Sequence, residues 1–403
     1  MKKRIYYLMF SMLLVSLVII AWTPKPLLAQ PPGEIRIGVN VTMSGAGAAW
    51  GITYSRTAEA YADKINKEGG LLVGGKRYLI KLFEYDSKRD PATSVENAKK
   101  LVFTDKVRFI LHHGGVAVTP TLPILSENKI VSMDISVGPQ TLKWPYNFNI
   151  LSAGPLRSEQ SMVAFIKQFK IKTISEVNPD NESGYTTEVD DRRAAKQKGI
   201  EMLNHQFYPA ETTDFYPILT KSLAVKPDML VIGLGSPGDT PLIVKQAREL
   251  GWQGPIGMTQ GSPPSEETFV RMTGQSGEGF VWSNPWHTDP NFWTKQEQAW
   301  VDEWKVRYPQ QAFIADSFGG CKQNALLLEA VKKAGSLDPD KITKVLETSD
   351  FVVLGWKIHF GATPDTYMGR PRSLVSPVYL QTIKDGKTTI IDVLMAEGVE
   401  KVQ

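Results

Sequence analysis

Short apolar runs alternate with amphipathic stretches along most of this chain. The run IRIGVNV, from Ile35 to Val41, is rich in β-branched residues and predicts a buried strand. From Ile52 to Lys67 the apolar residues recur at roughly helical spacing, and Gly69-Gly70 would end that helix. A glycine-rich turn, Thr42 to Gly51, joins the two. This order of strand, turn and helix is typical of a parallel α/β unit.

The same alternation continues through the rest of the chain. Further strands are predicted at Tyr78 to Asp86, Val107 to His113, Ile130 to Ser136, Lys172 to Asn178, Asp228 to Gly235 and Pro255 to Gly261. Helices are predicted between them at Pro91 to Val102, Thr119 to Glu127, Glu188 to Lys198 and Thr240 to Leu250. Helices between short apolar strands indicate an α/β fold with mainly parallel sheets and right-handed crossovers.

The N-terminus has the pattern of a secretion signal. Lys2, Lys3 and Arg4 precede an uncharged apolar run from Ile5 to Trp22, and a spacer ends in Leu27-Leu28-Ala29. The run is long enough to span a bilayer, and Leu27 suits cleavage after Ala29 poorly. Residues 1–29 are therefore predicted to be either a cleaved signal peptide or an uncleaved anchor. In both cases the rest of the chain is expected to be periplasmic or extracellular.

Charge and cysteine content narrow the possible functions. Residues 1–29 carry four basic side chains and no acidic ones, so removing them takes the formal charge of the 403-residue chain from +4 to zero. A neutral domain argues against nucleic acid, which is bound mainly through phosphate neutralisation. The only cysteine, Cys321, excludes an internal disulfide and lies far from the leader, where a lipid-anchor cysteine would be. About 370 remaining residues exceed one ordinary core and predict two lobes.

The motifs of common enzymes are missing or incomplete. Gly45, Gly47 and Gly51 only approximate the dinucleotide fingerprint, and Glu84 and Asp86 come too late to be its acidic residue. The chain has no Gly-x-Ser-x-Gly elbow, and its five histidines form no HExxH motif or Cys/His cluster. We therefore predict that the protein is not an enzyme and has no cofactor and no metal site.

A parallel sheet binds its ligands beyond the carboxyl ends of its strands, where loops meet helix N-termini. Two sets of three such loops, one set per lobe, are expected to face each other across a cleft. They are Thr42 to Gly51, His113 to Thr119, Asp134 to Pro139, Asn178 to Tyr185, Gly235 to Thr240 and Thr259 to Pro264.

Several segments, in this order and spacing, resemble a known family. They are IRIGVNVTMSGAGAAWG followed by AEAYADKINKEGG, then FEYDSKRDPATSVENAKKLV, IVKQARELGW and SGEGFVW. The chain resembles the type I periplasmic solute-binding proteins of the leucine/isoleucine/valine-binding kind, which serve ABC importers. The resemblance implies a monomer with two doubly wound parallel-sheet lobes, joined by a three-strand hinge and closing on a ligand without covalent chemistry. The implied lobes are residues 34–152 plus 285–352, and 153–284 plus 353–403.

The resemblance also implies ligand contacts in the first lobe. Trp50 stands where relatives place an aromatic ring against the ligand, although packing within the turn is the alternative. After the third strand, relatives use serine hydroxyls, whereas here the N–H groups of Gly114 and Gly115 could bind an anion and His113 could pair with a ligand oxygen. His112 and His113 could instead be one inward and one solvated strand residue. The fourth-strand loop implies contacts from Ile135, Ser136 and Val137.

In the second lobe, the resemblance bears on the class of ligand. Gln260 falls where relatives that bind α-amino acids place a carboxylate, and an amide cannot compensate a buried ammonium, whose desolvation costs several kcal/mol. A zwitterionic amino acid is therefore disfavoured, unless Asp239, for which a helix N-cap is the alternative role, supplies the charge. Ser236 would offer a hydroxyl, and Tyr185 follows an altered turn that could reach the cleft.

The leading hypothesis is an extracytoplasmic binding protein that delivers an aromatic or aliphatic acid, or an amide, to an ABC permease. One alternative is uptake of branched-chain or other amino acids, and another is a ligand sensor acting with a membrane signalling partner. Trp293, Trp300 and Trp304 recur at helical spacing and predict the buried face of a helix rather than a ligand-stacking site. Trp286 follows a probable hinge crossing and could face the cleft.

Overall fold

The computed structural model describes residues 32–137, 143–151, 154–209, 211–361 and 372–402. The predicted signal peptide or anchor, residues 1–29, lies outside the described residues, as does Pro139 at the end of one predicted loop. Within the described part of the chain, no helix is both long enough and apolar enough to cross a membrane.

The first lobe is built on a six-stranded sheet. Its strands are β1 (Gly33–Val41), β2 (Leu71–Val73), β3 (Lys76–Asp86), β4 (Phe109–His113), β5 (Val131–Ile135) and β6 (Asn147–Asn149). They lie in the order β2-β3-β1-β4-β5-β6, and every pair is parallel except β2 with β3. The connecting helices are α1 (Ala48–Lys67), α2 (Pro91–Lys99), α3 (Gly115–Val118) and α4 (Leu122–Glu127).

The second lobe is built on a seven-stranded sheet. Its strands are β7 (Thr173–Pro179), β8 (Glu201–Tyr208), β9 (Met229–Gly235), β10 (Ile256–Gly261) and β11 (Val281–Asn284), with β15 (Val378–Lys384) and β16 (Lys387–Leu394) from the end of the chain. The order is β16-β15-β11-β10-β9-β7-β8, and β15 and β16 form its antiparallel edge. Its helices are α5 (Gly154–Phe169), α6 (Glu182–Gln197), α7 (Tyr216–Ala224), α8 (Asp239–Glu249) and α9 (Glu266–Thr273).

A third segment covers the first lobe. It contains α10 (Lys295–Arg307), α11 (Asp316–Ala334) and α12 (Pro339–Thr348), followed by β12 (Asp350–Val353), β13 (Trp356–Phe360) and β14 (Leu374–Val375). With β17 (Glu400–Lys401) these strands form a separate four-stranded sheet. Its buried residues Phe351, Ile358 and Leu374 share one core with β1 and α11. The described residues 353–361 and 372–375, which the resemblance assigned to the second lobe, therefore pack with the first, and among the described strands that follow, β15 and β16 join the second sheet.

Local sequence signals explain where the helices begin. Asp90 caps α2 by accepting a 2.7 Å hydrogen bond from the N–H of Thr93, with Pro91 in the first turn. Thr294 and Glu297 form a reciprocal capping box at the start of α10. Trp300 and Trp304 lie on the buried face of α10, as predicted, and Trp293 precedes the helix and packs against the same core. The predicted two-lobed α/β fold is confirmed.

Candidate functional site

A cavity lies between the two lobes, at the carboxyl ends of their parallel strands. It receives residues from both lobes and from the start of α11. Seven of its lining residues were predicted from the sequence: Trp50, His113, Gly114, Gly115, Ile135, Ser136 and Val137. The others are Tyr54, Arg89, Leu151, Ser183, Leu234, Gly261, Ser262, Asn284, Trp286 and Asp316.

Three rings of the first lobe form an aromatic wall. Trp50 and Tyr54 lie one turn apart on α1, and the His113 ring lies between them, with centroids 5.4 Å from Trp50 and 4.8 Å from Tyr54. Burial lowers the pKa of His113 to about 3, and the charge of Arg89 acts in the same direction. The imidazole is therefore neutral near pH 7 and can donate or accept a hydrogen bond, but it offers no positive charge.

The glycine loop differs from the expectation in one respect. The N–H of Gly114 donates to the carbonyl of Ile135 at 3.0 Å, so it is not available to an anion. Gly114 also has φ of +89°, a conformation that suits glycine. Gly115 is required for close approach, because an added Cβ would lie 2.0 Å from Val137 O and 2.3 Å from Ser183 Oγ. Of the two glycines, only Gly115 keeps an N–H without an acceptor among the described residues.

Hydrogen bonds join the lobes around the cavity. The indole N–H of Trp50 donates to Ser262 Oγ at 2.7 Å, and the Ser262 hydroxyl donates to Asp316 Oδ2 at 3.0 Å. On the other side, the Ser183 hydroxyl donates to the carbonyl of Val137 at 2.8 Å. Ser183 and Ser262 belong to the second lobe and their partners to the first. These contacts can form only when the lobes are closed on each other.

Asp316 is a site residue that sequence reasoning missed. It is the first residue of α11 and is 6% exposed, and its Oδ1 accepts a 3.0 Å hydrogen bond from the Tyr54 hydroxyl. Burial raises its pKa, while the hydrogen bonds from Tyr54 and Ser262 oppose that shift. No motif surrounds it in the sequence. Tyr54, by contrast, follows Trp50 at the i+4 spacing that places two side chains on one helix face.

Three predicted ligand contacts lie outside the cavity wall. Tyr185 is 48% exposed on α6, where its ring packs against Phe207 and its hydroxyl donates to Asp180. The Ser236 hydroxyl accepts from the N–H of Asp239 in the turn before α8. Gln260 is fully buried on β10 and donates to Ser158 Oγ at 3.3 Å. The nearby residues Ser183, Leu234 and Ser262 line the cavity instead.

The remaining candidate positions have the following places in the structure. Trp286, which the sequence suggested could face the cleft, lines the cavity. Asp239 is the first residue of α8 and follows the N-cap residue, Gly238. It therefore does not cap the helix, and it does not line the cavity. His112 is fully buried rather than solvated, because helices cover both faces of the sheet. Within the described residues, no group of three His, Cys, Asp or Glu side chains could hold a metal ion.

The chain was compared with known proteins. A family model described as periplasmic binding protein matches residues 34–388. The leucine-, isoleucine-, valine-, threonine- and alanine-binding protein of Pseudomonas aeruginosa is 24% identical over 326 residues, which are 79% of this chain and 83% of that protein. The Leu/Ile/Val-binding protein BraC3 of Rhizobium johnstonii is 25% identical over 342 residues, covering 82% and 89% of the two chains.

Solved structures share the fold. The leucine-binding protein LivK of Thermotoga maritima has a TM-score of 0.76 at 20% identity, covering 90% of this chain and 99% of its own. A solute-binding protein of R. palustris, solved with benzoate, has a TM-score of 0.76 at 18% identity, covering 91% and 99%. Proteins of this family are extracytoplasmic, bind small ligands and work with ABC transporters. Because the family model spans most of the sequence and the two-lobed fold agrees with it, this chain belongs to the type I periplasmic binding proteins of the leucine/isoleucine/valine-binding family.

Proposed function

We propose that this protein captures a small organic ligand in the cavity between its lobes and passes it to the permease of an ABC importer. The observation that carries the proposal is the cavity itself, whose wall is shared by both lobes and is enclosed by hydrogen bonds between them. A ligand that contacts both lobes stabilises the closed form by its affinity difference between the open and closed states. The proposed function needs no catalytic residue and no cofactor.

The proposed lobes follow the observed packing. We assign the described residues within 34–152, 285–361 and 372–375 to the first lobe, and those within 153–284 and 378–394 to the second. The hinge then consists of three crossings: one between β6 and α5, one after β11, and one between β14 and β15. The proposed ligand contacts are Trp50, Tyr54, His113, Gly115, Ile135, Ser136, Val137 and Trp286.

The lining suits a ligand with an apolar or aromatic body and an oxygen-bearing group. The aromatic wall and the side chains of Ile135, Val137 and Leu151 would contact the body, and Arg89 and the Gly115 N–H are donors for an oxygen. An aromatic or aliphatic acid, or an amide, fits this description. A neighbour solved with benzoate and another solved with 4-hydroxybenzoate share the fold, whereas the curated relatives are named for amino acids.

Thermal denaturation of the chain from residue 30 onwards, with and without each candidate, tests the function. The panel would contain amino acids, aromatic acids, aliphatic acids and amides. A ligand present at 100 times its dissociation constant should add about 2.7 kcal/mol to the free energy of unfolding. Stabilisation by one class, confirmed by calorimetric titration, supports the proposal. A panel without any stabilising member contradicts it.

Replacing Trp50 with alanine is expected to weaken binding of the stabilising ligand by roughly 100-fold. The substitution removes a large contact surface at the centre of the site, and such aromatic contacts commonly carry ~2 kcal/mol or more of binding free energy. Trp50→Phe would keep an aromatic ring but lose the N–H that donates to Ser262. It therefore distinguishes the contact of the ring with the ligand from the hydrogen bond between the lobes. Phe292→Ala, at a 37% exposed position outside the cavity, is the control. Equal dissociation constants for the wild type and Trp50→Ala would remove Trp50 from the site.

A further inference from the structure

A second cavity lies next to the interlobe cavity, and the two share a wall. The shared residues are Ser262, Asn284, Trp286 and Asp316. The second cavity extends from this wall between the loop before α9, the strands β11 and β15, and the start of α11. Only a few side chains therefore separate the proposed binding cavity from further space inside the protein.

The second cavity suits a hydrocarbon chain. Its large apolar lining residues are Phe269, Trp282, Ile314 and Ile383, and among the described residues that line it there is no lysine, arginine or histidine. Two of its polar groups already have partners inside the protein. The Glu266 carboxylate accepts from the N–H of Thr388, and the Gln381 amide donates to the carbonyl of Trp286 at 3.1 Å. Such a space favours the burial of CH₂ groups over charged ones.

Trp286 is the largest side chain of the shared wall, and it is held firmly. Its backbone N–H donates to Asn284 Oδ1 at 3.2 Å, and its ring packs on Gly319 of α11, where an added Cβ would lie 2.8 Å from the ring. The ammonium of Lys322 lies 5.7 Å from the ring centroid. Trp286 is 2% exposed. A ligand chain therefore cannot pass the ring without displacing packed groups.

The rest of the wall is complete only when the lobes are closed. The Ser262 hydroxyl of the second lobe donates to Asp316 Oδ2 of the first lobe at 3.0 Å. A ligand that extends through this part of the wall would hold the two residues apart. It would then lose the closed form, whose stabilisation is the basis of the proposed binding function.

We propose that Trp286 sets the maximum length of the ligand by separating the binding cavity from the second cavity. This inference rests on the proposed binding function and names a residue that determines specificity at the same site. Arg89 and Gly115, the proposed donors to a ligand oxygen, line only the first cavity, so a ligand bonded there would meet Trp286 with its apolar end. Longer homologues are rejected because the ring leaves no room for the added methylenes.

Calorimetric titration with homologous series tests the length limit. The series are the straight-chain acids from butanoate to decanoate, their primary amides, the 2-amino acids of the same lengths, and the ω-phenyl acids from benzoate to 6-phenylhexanoate. In the series that binds, we expect the affinity to rise by about fourfold per methylene, the ratio for about 0.8 kcal/mol per buried CH₂, and then to fall at least tenfold beyond a limiting length. Affinity that still rises at the longest member would overturn the inference and leave the proposed function standing. If no member of any series binds, the proposed function fails and the inference with it.

Trp286→Ala should join the two cavities. We expect the limiting length to increase by about two methylenes or more, and compounds beyond the wild-type limit to bind at least tenfold more tightly to the variant than to the wild type. Trp286→Leu removes less of the wall and should give an intermediate limit, which keeps the test available if the alanine variant does not fold.

Ala315→Leu is the matched control, because Ala315 lines the second cavity but not the first. Alone it should leave the wild-type limit unchanged. Combined with Trp286→Ala it should shorten the limit again, because the leucine side chain fills part of the joined space. Folded variants of Trp286 that bind the short homologues and keep the wild-type limit would overturn the assignment.

Discussion

Replacing Gly51 with alanine is expected to destabilise the protein by about 2–4 kcal/mol. Gly51 is buried in the first turn of α1, where the helix crosses the end of β1. An added Cβ would lie 1.7 Å from the carbonyl oxygen of Thr42 and 2.8 Å from its nitrogen. Because both atoms belong to the backbone, no side-chain rotation can relieve the overlap, and the helix would have to move away from the strand.

Two opposing effects decide the size of this change. Alanine has a higher helix propensity than glycine, which favours the variant by about 1 kcal/mol. Overpacking against fixed backbone costs more, since forced shifts of a buried element commonly cost 1–3 kcal/mol or above. Urea denaturation measures the difference. Gly47→Ala, directly before α1, is the control, because its added Cβ would meet only side chains, those of Thr42 at 3.2 Å and of Trp50 at 3.6 Å. A Gly51→Ala variant as stable as the wild type would mean that α1 does not approach β1 this closely.

The alternation of strands and helices was enough to predict the architecture. The central parallel strands β4, β5 and β9 are buried on both faces, so each is a short apolar run that ends in a polar or glycine-rich loop. The lobe boundary near residue 353 could not be predicted in the same way. The strands β12 to β14 are short and antiparallel. Their local sequence does not indicate which of the two hydrophobic cores they join. Only the packing of Phe351, Ile358 and Leu374 assigns them to the first lobe.

The sequence predicted the cavity residues of the first lobe better than those of the second lobe. In the first lobe, His113 ends a parallel strand, Ser136 directly follows one, and Trp50 lies in the first turn of the helix after β1, so all three are at the cleft side of the sheet. In the second lobe the same loops contribute, but a shift of one or two residues changes which side chain faces the cavity. Ser262 lines it and Gln260 does not. Asp316 belongs to α11, outside all six predicted cleft loops. The sequence patterns of those loops therefore could not indicate it.

Replacing Asp134 with asparagine is expected to raise stability above pH 7 by a few kcal/mol relative to the wild type. Asp134 is fully buried on β5, where Ser132 Oγ donates to it at 2.5 Å and the Asn147 amide donates to its other oxygen. Burial raises the pKa of Asp134 to about 7, and the two hydrogen bonds oppose the shift. In the unfolded chain the pKa of an aspartate is about 3.9.

The direction of the pH dependence follows from proton binding. Between about pH 4 and pH 7 the folded protein holds a proton on Asp134 that the unfolded chain has lost, so folding becomes less favourable as the pH rises. Over about three pH units, at about 1.4 kcal/mol per unit, the loss approaches 4 kcal/mol and is complete above pH 7. Buried His112, His113 and His287, whose pKa values are lowered to about 3, act oppositely, since their stabilisation is lost as the pH falls below about 6.5.

The histidines and Asp134 change the free energy of unfolding in opposite directions as the pH rises. The informative quantity is therefore the difference in unfolding free energy between Asp134→Asn and the wild type at each pH. Asparagine cannot ionise, and its amide N–H can bond the Asn147 side-chain oxygen, which has no other partner among the described residues. The stability gain of Asp134→Asn, measured by urea denaturation from pH 4 to pH 9, should grow between pH 4 and pH 7 and then stay constant. Asp302→Asn, at an exposed position on α10, should give a flat difference. If the Asp134→Asn difference is flat as well, the Asp134 carboxyl does not hold a proton in the folded protein near neutral pH, and its two hydrogen bonds outweigh its burial.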